Sequence, residues 1–126
     1  MTDKYGFRFR EWDIYKDGRQ FRIEINRLLR NYPQEEKYAL VDQTKRALNS
    51  IILNIAEGAN KGTDKETKLY ILRAANSLDE VVSCLDCGLD DGYITEDQHK
   101  NILQKASSLA KRLKGFIGKL SKVKCQ

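Results

Sequence analysis

Two cysteines, Cys84 and Cys87, form a C-x-x-C motif. On a helix their sulfur atoms would lie about one turn apart, close enough to share a metal ion or to cycle as a dithiol. A zinc site needs two further ligands at motif spacing, and the sequence has neither a second C-x-x-C nor a pair of histidines. Redox motifs of this type stand at a helix start after a strand, whereas this one stands near the end of a helical pattern. We therefore interpret both residues as packing thiols and predict no metal and no cofactor.

The other candidates for catalysis are also incomplete. The single histidine, His99, has no serine, cysteine or carboxylate placed beside it by a known motif, and we expect its ring to face solvent. The segment 58–63 lacks the glycine spacing and the preceding strand of a phosphate loop. A di-iron bundle site needs a pair of Glu-x-x-His motifs, and a chain with a single histidine has at most one, Glu96 to His99. The sequence predicts no catalytic residue, and so a function in binding.

Basic residues are the stronger indication of function. Eight Lys or Arg residues and no acid follow Asp97, while the whole chain has a formal net charge of +5. Seven-residue spacing lines up three of them beside the apolar stripe of the last helix, and two others project from its outer side. The first helix adds arginines near aromatic residues, which suit phosphates and bases respectively. The candidate nucleic-acid-binding residues are Arg19, Arg22, Arg30, Lys105, Lys111, Arg112, Lys119 and Lys122. A solvated helix surface is the alternative interpretation.

Apolar spacing of three and four residues predicts the elements that carry these side chains. It marks four helices at about 12–31, 35–58, 64–89 and 95–121. In the third helix the predicted stripe is Leu72, Ala75, Leu78, Val82 and Leu85. Because the links are short, consecutive helices must be antiparallel neighbours. The sequence therefore predicts an all-α, antiparallel up-down four-helix bundle, with residues 1–126 forming a single domain.

The second helix has more apolar surface than one core requires. Ile51, Ile52 and Leu53 are consecutive and together cover roughly 200° of a helix circumference. The pattern indicates either a subunit interface or a helix central to its own bundle, and we favour the interface.

The composition also indicates the cellular compartment. An odd number of cysteines, two of them within one helix, is typical of reduced thiols. The N-terminus lacks a signal-peptide pattern, and no apolar run approaches the ~20 residues of a membrane span. We expect a cytoplasmic protein that does not enter a membrane.

One polar group at the end of the second helix stays open to two interpretations. Asn54 and Glu57 are three residues apart and share a helix side just before Gly58. They would either bind a partner or satisfy backbone groups of the neighbouring loop, and we favour the structural role.

These residues also carry a resemblance. The stretch Gln43-x-Lys-Arg-Ala-x-x-Ser-Ile-x-x-Asn-Ile-Ala-Glu-Gly58 resembles the signature of the four-helix bundle proteins encoded in 23S rRNA intervening sequences. Tyr32-Pro33, Ser77-Leu78-Asp79-Glu80 and Gly92-Tyr93-Ile94 are similar to other parts of that family. The sequence departs from it at Asn76, where glycine is common, and at Leu69, where an aromatic residue is common.

The resemblance implies a ring-like homopentamer with basic surfaces, for which nucleic-acid binding is the usual proposal. A related branch comprises accessory proteins of diversity-generating retroelements, which bind a reverse transcriptase and nucleic acid. We therefore expect a non-enzymatic, oligomeric nucleic-acid-binding protein. The alternative is a protein-interaction adaptor, such as the accessory subunit of a reverse transcriptase.

Overall fold

Four α-helices make up most of the chain. The computed structural model describes the backbone of residues 2–125 and the side chains of residues 2–120. The helices are α1 (Asp13–Leu29), α2 (Leu40–Gly58), α3 (Asp64–Asp90) and α4 (Glu96–Cys125), with short 3-10 helices at Arg8–Glu11 and Gln34–Glu36. Within residues 2–125 there is no β-strand.

The helices are arranged in a ring of neighbours. Helix α1 packs against α2 and α4, and α3 packs against the same two, so α1 and α3 occupy opposite corners. Each helix is antiparallel to the next because the links are too short to return to the starting end. The predicted all-α, antiparallel four-helix bundle is confirmed.

Side-chain caps begin the last two helices. The hydroxyl of Thr63 accepts a hydrogen bond from the Glu66 amide at 3.2 Å. Thr95 and Gln98 form a reciprocal box in which each side chain accepts the other's amide, at 3.1 Å and 2.9 Å. These bonds satisfy amides that a helix start leaves without partners. They explain why α3 and α4 begin where the sequence indicates.

Helix α2 begins later than the sequence predicts, at Leu40 rather than near residue 35. Residues Gln34–Glu36 form a separate 3-10 turn after Pro33. The Glu36 carboxylate then accepts a hydrogen bond from the Leu40 amide at 3.3 Å. Glu36 therefore supports the start of α2 from outside the helix instead of lying in its first turn.

The core confirms most of the apolar stripes. The predicted stripe of α2 is buried throughout and consists of Val41, Thr44, Leu48, Ile51 and Ile55. The predicted stripe of α4 is buried at its first four positions and partly buried at its last two, in the order Ile102, Ala106, Leu109, Leu113, Phe116 and Leu120. In α3 the predicted stripe is partly wrong, since Leu72 is 42% exposed. The buried positions there include Ile71, Ala74 and Val81, each one residue before a predicted one. Apolar residues occur in adjacent pairs along α3, so only the packing of α2 and α4 selects which member turns inward.

One end of the bundle is closed by residues from three separate stretches. The rings of Tyr32 and Tyr93 lie 5.1 Å apart between centroids. The Tyr93 hydroxyl donates a 2.7 Å hydrogen bond to the Glu36 carboxylate. This contact joins the α3–α4 link to the turn before α2.

None of the described helices is long and apolar enough to cross a membrane.

Candidate functional site

Two of the predicted cations face carboxylates across the α1–α4 seam. Arg112 on α4 donates to Asp17 on α1, and Lys105 on α4 donates to Glu24 on α1. The two acids are seven residues apart, and so are the two bases. The two ion pairs are therefore about two turns apart on both helices. We call these contacts the ion-pair ladder. The acids offset both positive charges, and the ladder ties α1 to α4 in one antiparallel register.

The outward surface of α4 carries cations without such partners. Lys111 and Lys119 are exposed, and neither forms an ion pair with another side chain among residues 2–120. Lys114 is also exposed and forms no ion pair among those residues, and the same is true of Lys100 nearer the helix start. We call Lys111, Lys114 and Lys119 the lysine face. Lys122, the remaining candidate on this helix, lies outside the residues whose side chains the structure describes.

Lys100 and Lys114 are functional candidates that the sequence analysis missed. The signal was present, because both stand opposite the buried stripe of α4 and no acid follows Asp97. The spacing of seven instead pointed to Lys105, Arg112 and Lys119, of which the first two form ion pairs with α1.

The predicted arginines of α1 lie on a different side of the bundle. Arg22 donates through Nε to the Asn49 side chain of α2 at 2.8 Å. The guanidinium of Arg19 lies 5.8 Å from the ring centroid of Tyr15. Arg30 is exposed at the end of α1 and forms no ion pair within the described part of the chain. The seven predicted residues whose side chains the structure describes therefore do not form one continuous patch.

A groove between α1 and α2 contains Arg19 and Arg22. Its volume is about 390 Å³, and Ile23 and Leu53 are among its lining residues. Leu53 is 59% exposed and Ile23 40% exposed. Ile51 is buried, Ile52 is half-buried and Leu53 points outward, so α2 does have an apolar surface beyond its own core.

The polar residues near the end of α2 have different surroundings. Asn54 donates to the backbone oxygen of Ser50 at 2.8 Å and to its hydroxyl at 3.0 Å. The Ser50 hydroxyl also accepts from Ser77 on α3 at 2.8 Å. Asn54 thus supports its own helix and its contact with α3, not the neighbouring loop. Glu57 is exposed and makes no polar side-chain contact with another described residue.

Gly58 lies close against α3. Its carbonyl accepts a 2.9 Å hydrogen bond from the Thr67 hydroxyl. A Cβ atom at this position would stand 3.0 Å from the Cβ of Tyr70 and 3.4 Å from the Thr67 carbonyl oxygen. A larger residue would push the helices apart, so the glycine has a structural role.

Sequence comparison assigns the chain to a family. Residues 10–115 match the profile of the 23S rRNA-intervening sequence protein family. The chain belongs to this family. The resemblance carried by the stretch from Gln43 to Gly58 is thereby confirmed. Among curated proteins, none matches the sequence.

A solved structure agrees with the fold of this 23S rRNA-intervening sequence protein. It is a protein with unknown function from the S23 ribosomal protein family of Bacteroides thetaiotaomicron VPI-5482. The two chains are 22% identical, with a TM-score of 0.75. The alignment covers 82% of this chain and 97% of the other. At this identity the likeness supports the bundle fold alone.

The two cysteines of the C-x-x-C motif differ in burial. Cys84 is buried and Cys87 exposed, and both are free thiols. Burial raises the pKa of the Cys84 thiol, with smaller effects from Glu80 and Cys87 in the same direction and an opposing hydrogen bond with Thr44. Within the described residues, no three His, Cys, Asp or Glu side chains are grouped so that they could hold a metal ion.

The expectation of a solvent-facing histidine is wrong. Only 15% of the His99 side chain is exposed, and its Nε2 lies 2.8 Å from a carboxylate oxygen of Asp86 on α3. The start of α4 packs beside the end of α3, which brings together two residues 13 positions apart. The pair joins two neighbouring helices at the same end of the bundle as Tyr93.

Proposed function

We propose that this 23S rRNA-intervening sequence protein is a non-enzymatic, oligomeric protein that binds nucleic acid through the lysine face of α4. One observation carries the proposal. Lys105 and Arg112 are offset by Glu24 and Asp17, whereas Lys111, Lys114 and Lys119 form no ion pair among the residues whose side chains are described. Lysines that are not held in an ion pair remain available to attract phosphate.

The spacing of the lysine face suits a phosphate backbone. Lys111 and Lys119 are eight residues apart, which is about 12 Å along a helix. Lys114 lies between them in the sequence, so the three ammonium groups are distributed over about two turns of the exposed side of α4. Contacts of this kind fix position on a strand but carry no sequence information. Binding should therefore be weakly sequence-specific and strongly dependent on salt.

The proposal is tested by the salt dependence of binding to a labelled DNA duplex. Each phosphate contact contributes about −0.9 to the slope of log K against log salt concentration. The variant Lys111→Gln, Lys114→Gln, Lys119→Gln should therefore lower the magnitude of the slope by about 2.7. An unchanged slope would remove the lysine face from the site.

A matched control separates location from net charge. The variant Lys37→Gln, Lys45→Gln, Lys65→Gln removes three exposed lysines from other parts of the bundle. It should keep the slope of the unmodified protein. If both variants lower the slope equally, the attraction belongs to the whole molecule and not to α4.

The oligomeric part of the proposal is supported by the groove between α1 and α2. Leu53 is 59% exposed at its edge, beside the partly exposed Ile23. Burial of this apolar surface between subunits would remove it from water. The variant Leu53→Glu should reduce the molar mass measured by light scattering. Leu72→Glu, at a 42% exposed position on α3, should leave the mass unchanged. Five subunits is the number that the family resemblance implies.

An adaptor role is the second candidate, and the same groove favours it. Arg19 and Arg22 border apolar residues there, a combination that suits an acidic protein surface with apolar anchors. By resemblance to retroelement accessory proteins, that partner would be a reverse transcriptase. Co-purification with nuclease treatment distinguishes the candidates, because a partner that remains after nuclease treatment supports the adaptor.

A further inference from the structure

A second groove lies between the start of α1 and the C-terminal half of α4. Its volume is about 500 Å³, within the range of small-ligand sites. Its apolar wall is formed by Trp12 and Phe116, whose ring centroids are 4.7 Å apart. Gly115, Arg112 and Lys119 also line it. We call this the Trp12 groove.

The charges around the Trp12 groove are unequal. Asp13 borders it with a carboxylate, and Arg112 is already paired with Asp17. Lys119 is exposed and belongs to the lysine face, so the groove opens next to the surface proposed to contact phosphates. A ligand with a flat aromatic part and a phosphate fits this combination of rings and one available ammonium group.

Gly115 has no packing role within the described chain. A Cβ atom at Gly115, or at Gly118 one turn on, would have no atom within 4 Å. Glycine inside a helix is unfavourable relative to alanine, and close approach of another molecule is one reason to retain it. Gly58, by contrast, is explained by the nearby Tyr70. At Gly115 the space lies inside the Trp12 groove and stays open for something outside the chain.

Trp12 is held in place before any ligand arrives. The guanidinium of Arg8 lies over the indole at 5.4 Å from the ring centroid. Arg8 is itself fixed by a 2.8 Å hydrogen bond to the carbonyl oxygen of Ala59 at the end of α2. A ring fixed in this way loses little freedom when a second aromatic group stacks against it.

We propose that the Trp12 groove binds one unstacked base of a single-stranded nucleic acid, with the base against Trp12 and Phe116 and its phosphate on Lys119. This proposal rests on the function proposed above and names the part of the ligand that the lysines alone do not recognise. It predicts that the protein binds single-stranded or frayed segments more tightly than intact duplex. Stacking is tolerant of sequence because every base presents an aromatic face.

Fluorescence tests the proposal directly, because Trp12 is the only tryptophan of the chain. A ten-nucleotide single strand should quench its emission and bind about tenfold more tightly than an abasic strand of equal length and charge. The abasic strand should bind without quenching. Equal quenching by both strands, or equal affinity, would overturn the proposal.

Two variants at residue 115 separate the groove from the fold. Gly115→Leu fills the groove and leaves every lysine in place, so it should abolish the quenching and reduce the affinity to that of the abasic strand. The slope of log K against log salt concentration for duplex binding should be unchanged in this variant. Gly115→Ala should fold with an equal or higher Tm, which shows that the position is not needed for packing. Retained quenching in Gly115→Leu would contradict the proposal.

The remaining outcomes are also decisive. Adenosine monophosphate that saturates the quench at a lower concentration than the strand would identify a free nucleotide as the ligand and overturn the strand assignment. A normal salt slope without quenching would overturn the groove alone. A flat salt slope and no binding of any oligonucleotide would overturn the proposed function as well.

Discussion

The hydroxyl of Tyr32 lies against the backbone of Gly88. A Cβ atom on residue 88 would stand 2.2 Å from the phenol oxygen and 3.0 Å from the ring carbon that bears it. The two residues come from the link after α1 and from the end of α3, so their contact joins diagonal corners of the bundle. Residue 88 must therefore be glycine for Tyr32 to occupy this position.

Gly88→Ala should destabilise the protein by about 1–3 kcal/mol, although alanine is the better helix former. The ring is buried and has little room to move. Urea unfolding followed by circular dichroism measures the change. The double variant Gly88→Ala, Tyr32→Phe should recover part of the loss, because it removes the closest atom. Gly115→Ala is the control, and it should raise the free energy of unfolding by up to ~1 kcal/mol. If Gly88→Ala left the free energy of unfolding unchanged, Tyr32 would have to move aside without cost, which would contradict this prediction.

The Tyr93–Glu36 hydrogen bond should be visible in alkaline titration. The bond to Glu36, with smaller effects from partial burial and nearby acids, raises the pKa of Tyr93 to about 12 from 10.0. The neutral phenol is the form that donates, so the contribution to stability is complete below pH 10 and is lost as the pH rises towards 12. Absorbance of phenolate should show a late-titrating group that disappears in Tyr93→Phe.

A second tyrosine should titrate late for a different reason. Burial, with smaller effects from Cys84 and Cys87, raises the pKa of Tyr32 to about 12. Glu36→Gln should therefore return Tyr93 towards ordinary behaviour and leave Tyr32 unchanged. If Glu36→Gln shifts neither group, the Tyr93–Glu36 contact is absent in solution.

The two cysteines of the C-x-x-C motif should react very differently. Cys87 is exposed, whereas Cys84 is buried and its pKa is raised by that burial. Each unit of raised pKa lowers the thiolate population by about tenfold, in addition to the steric protection. Iodoacetamide labelling analysed by mass spectrometry should modify residue 84 in Cys87→Ser only on unfolding. Cys84→Ser should retain the fast-reacting site. Equal rates in the folded protein would contradict the arrangement.

Neutralising the acids of the ion-pair ladder should strengthen nucleic-acid binding. Asp17→Asn with Glu24→Gln would leave Arg112 and Lys105 without partners and add up to about two phosphate contacts to the salt slope. Exposed ion pairs of this type contribute only about 0.2–1 kcal/mol each, so the protein should remain folded. Weaker or unchanged binding would show that the nucleic acid lies away from the α1–α4 seam.

Much of the fold follows from local pattern, as the helix starts show. Thr63 and Thr95 mark the starts of α3 and α4 because their caps involve residues only three positions away. The start of α2 does not follow from local pattern, since Glu36 lies in a separate turn and bonds to Tyr93, which is 57 positions distant. Adjacent apolar pairs in α3 left its inward side undecided until neighbouring helices were known.

The candidate site was less predictable because charge pairing is a tertiary property. Lys105 meets Glu24 across 81 positions, and Arg112 meets Asp17 across 95. The seven-residue spacing shared by the acids of α1 and the bases of α4 was the signal that could have revealed the ladder. The Trp12 groove had no comparable signal, because Trp12 and Phe116 meet only when the bundle is assembled.

Acetylation of lysines in the intact protein, with and without a saturating DNA duplex, tests the central claim most directly. Mass spectrometry then reports the modification at each lysine. The account predicts that the duplex protects Lys111, Lys114 and Lys119 severalfold, while Lys37, Lys45 and Lys65 react as they do without DNA. Protection confined to the second group, or spread evenly over all lysines, would contradict the assignment of the lysine face as the nucleic-acid-binding surface.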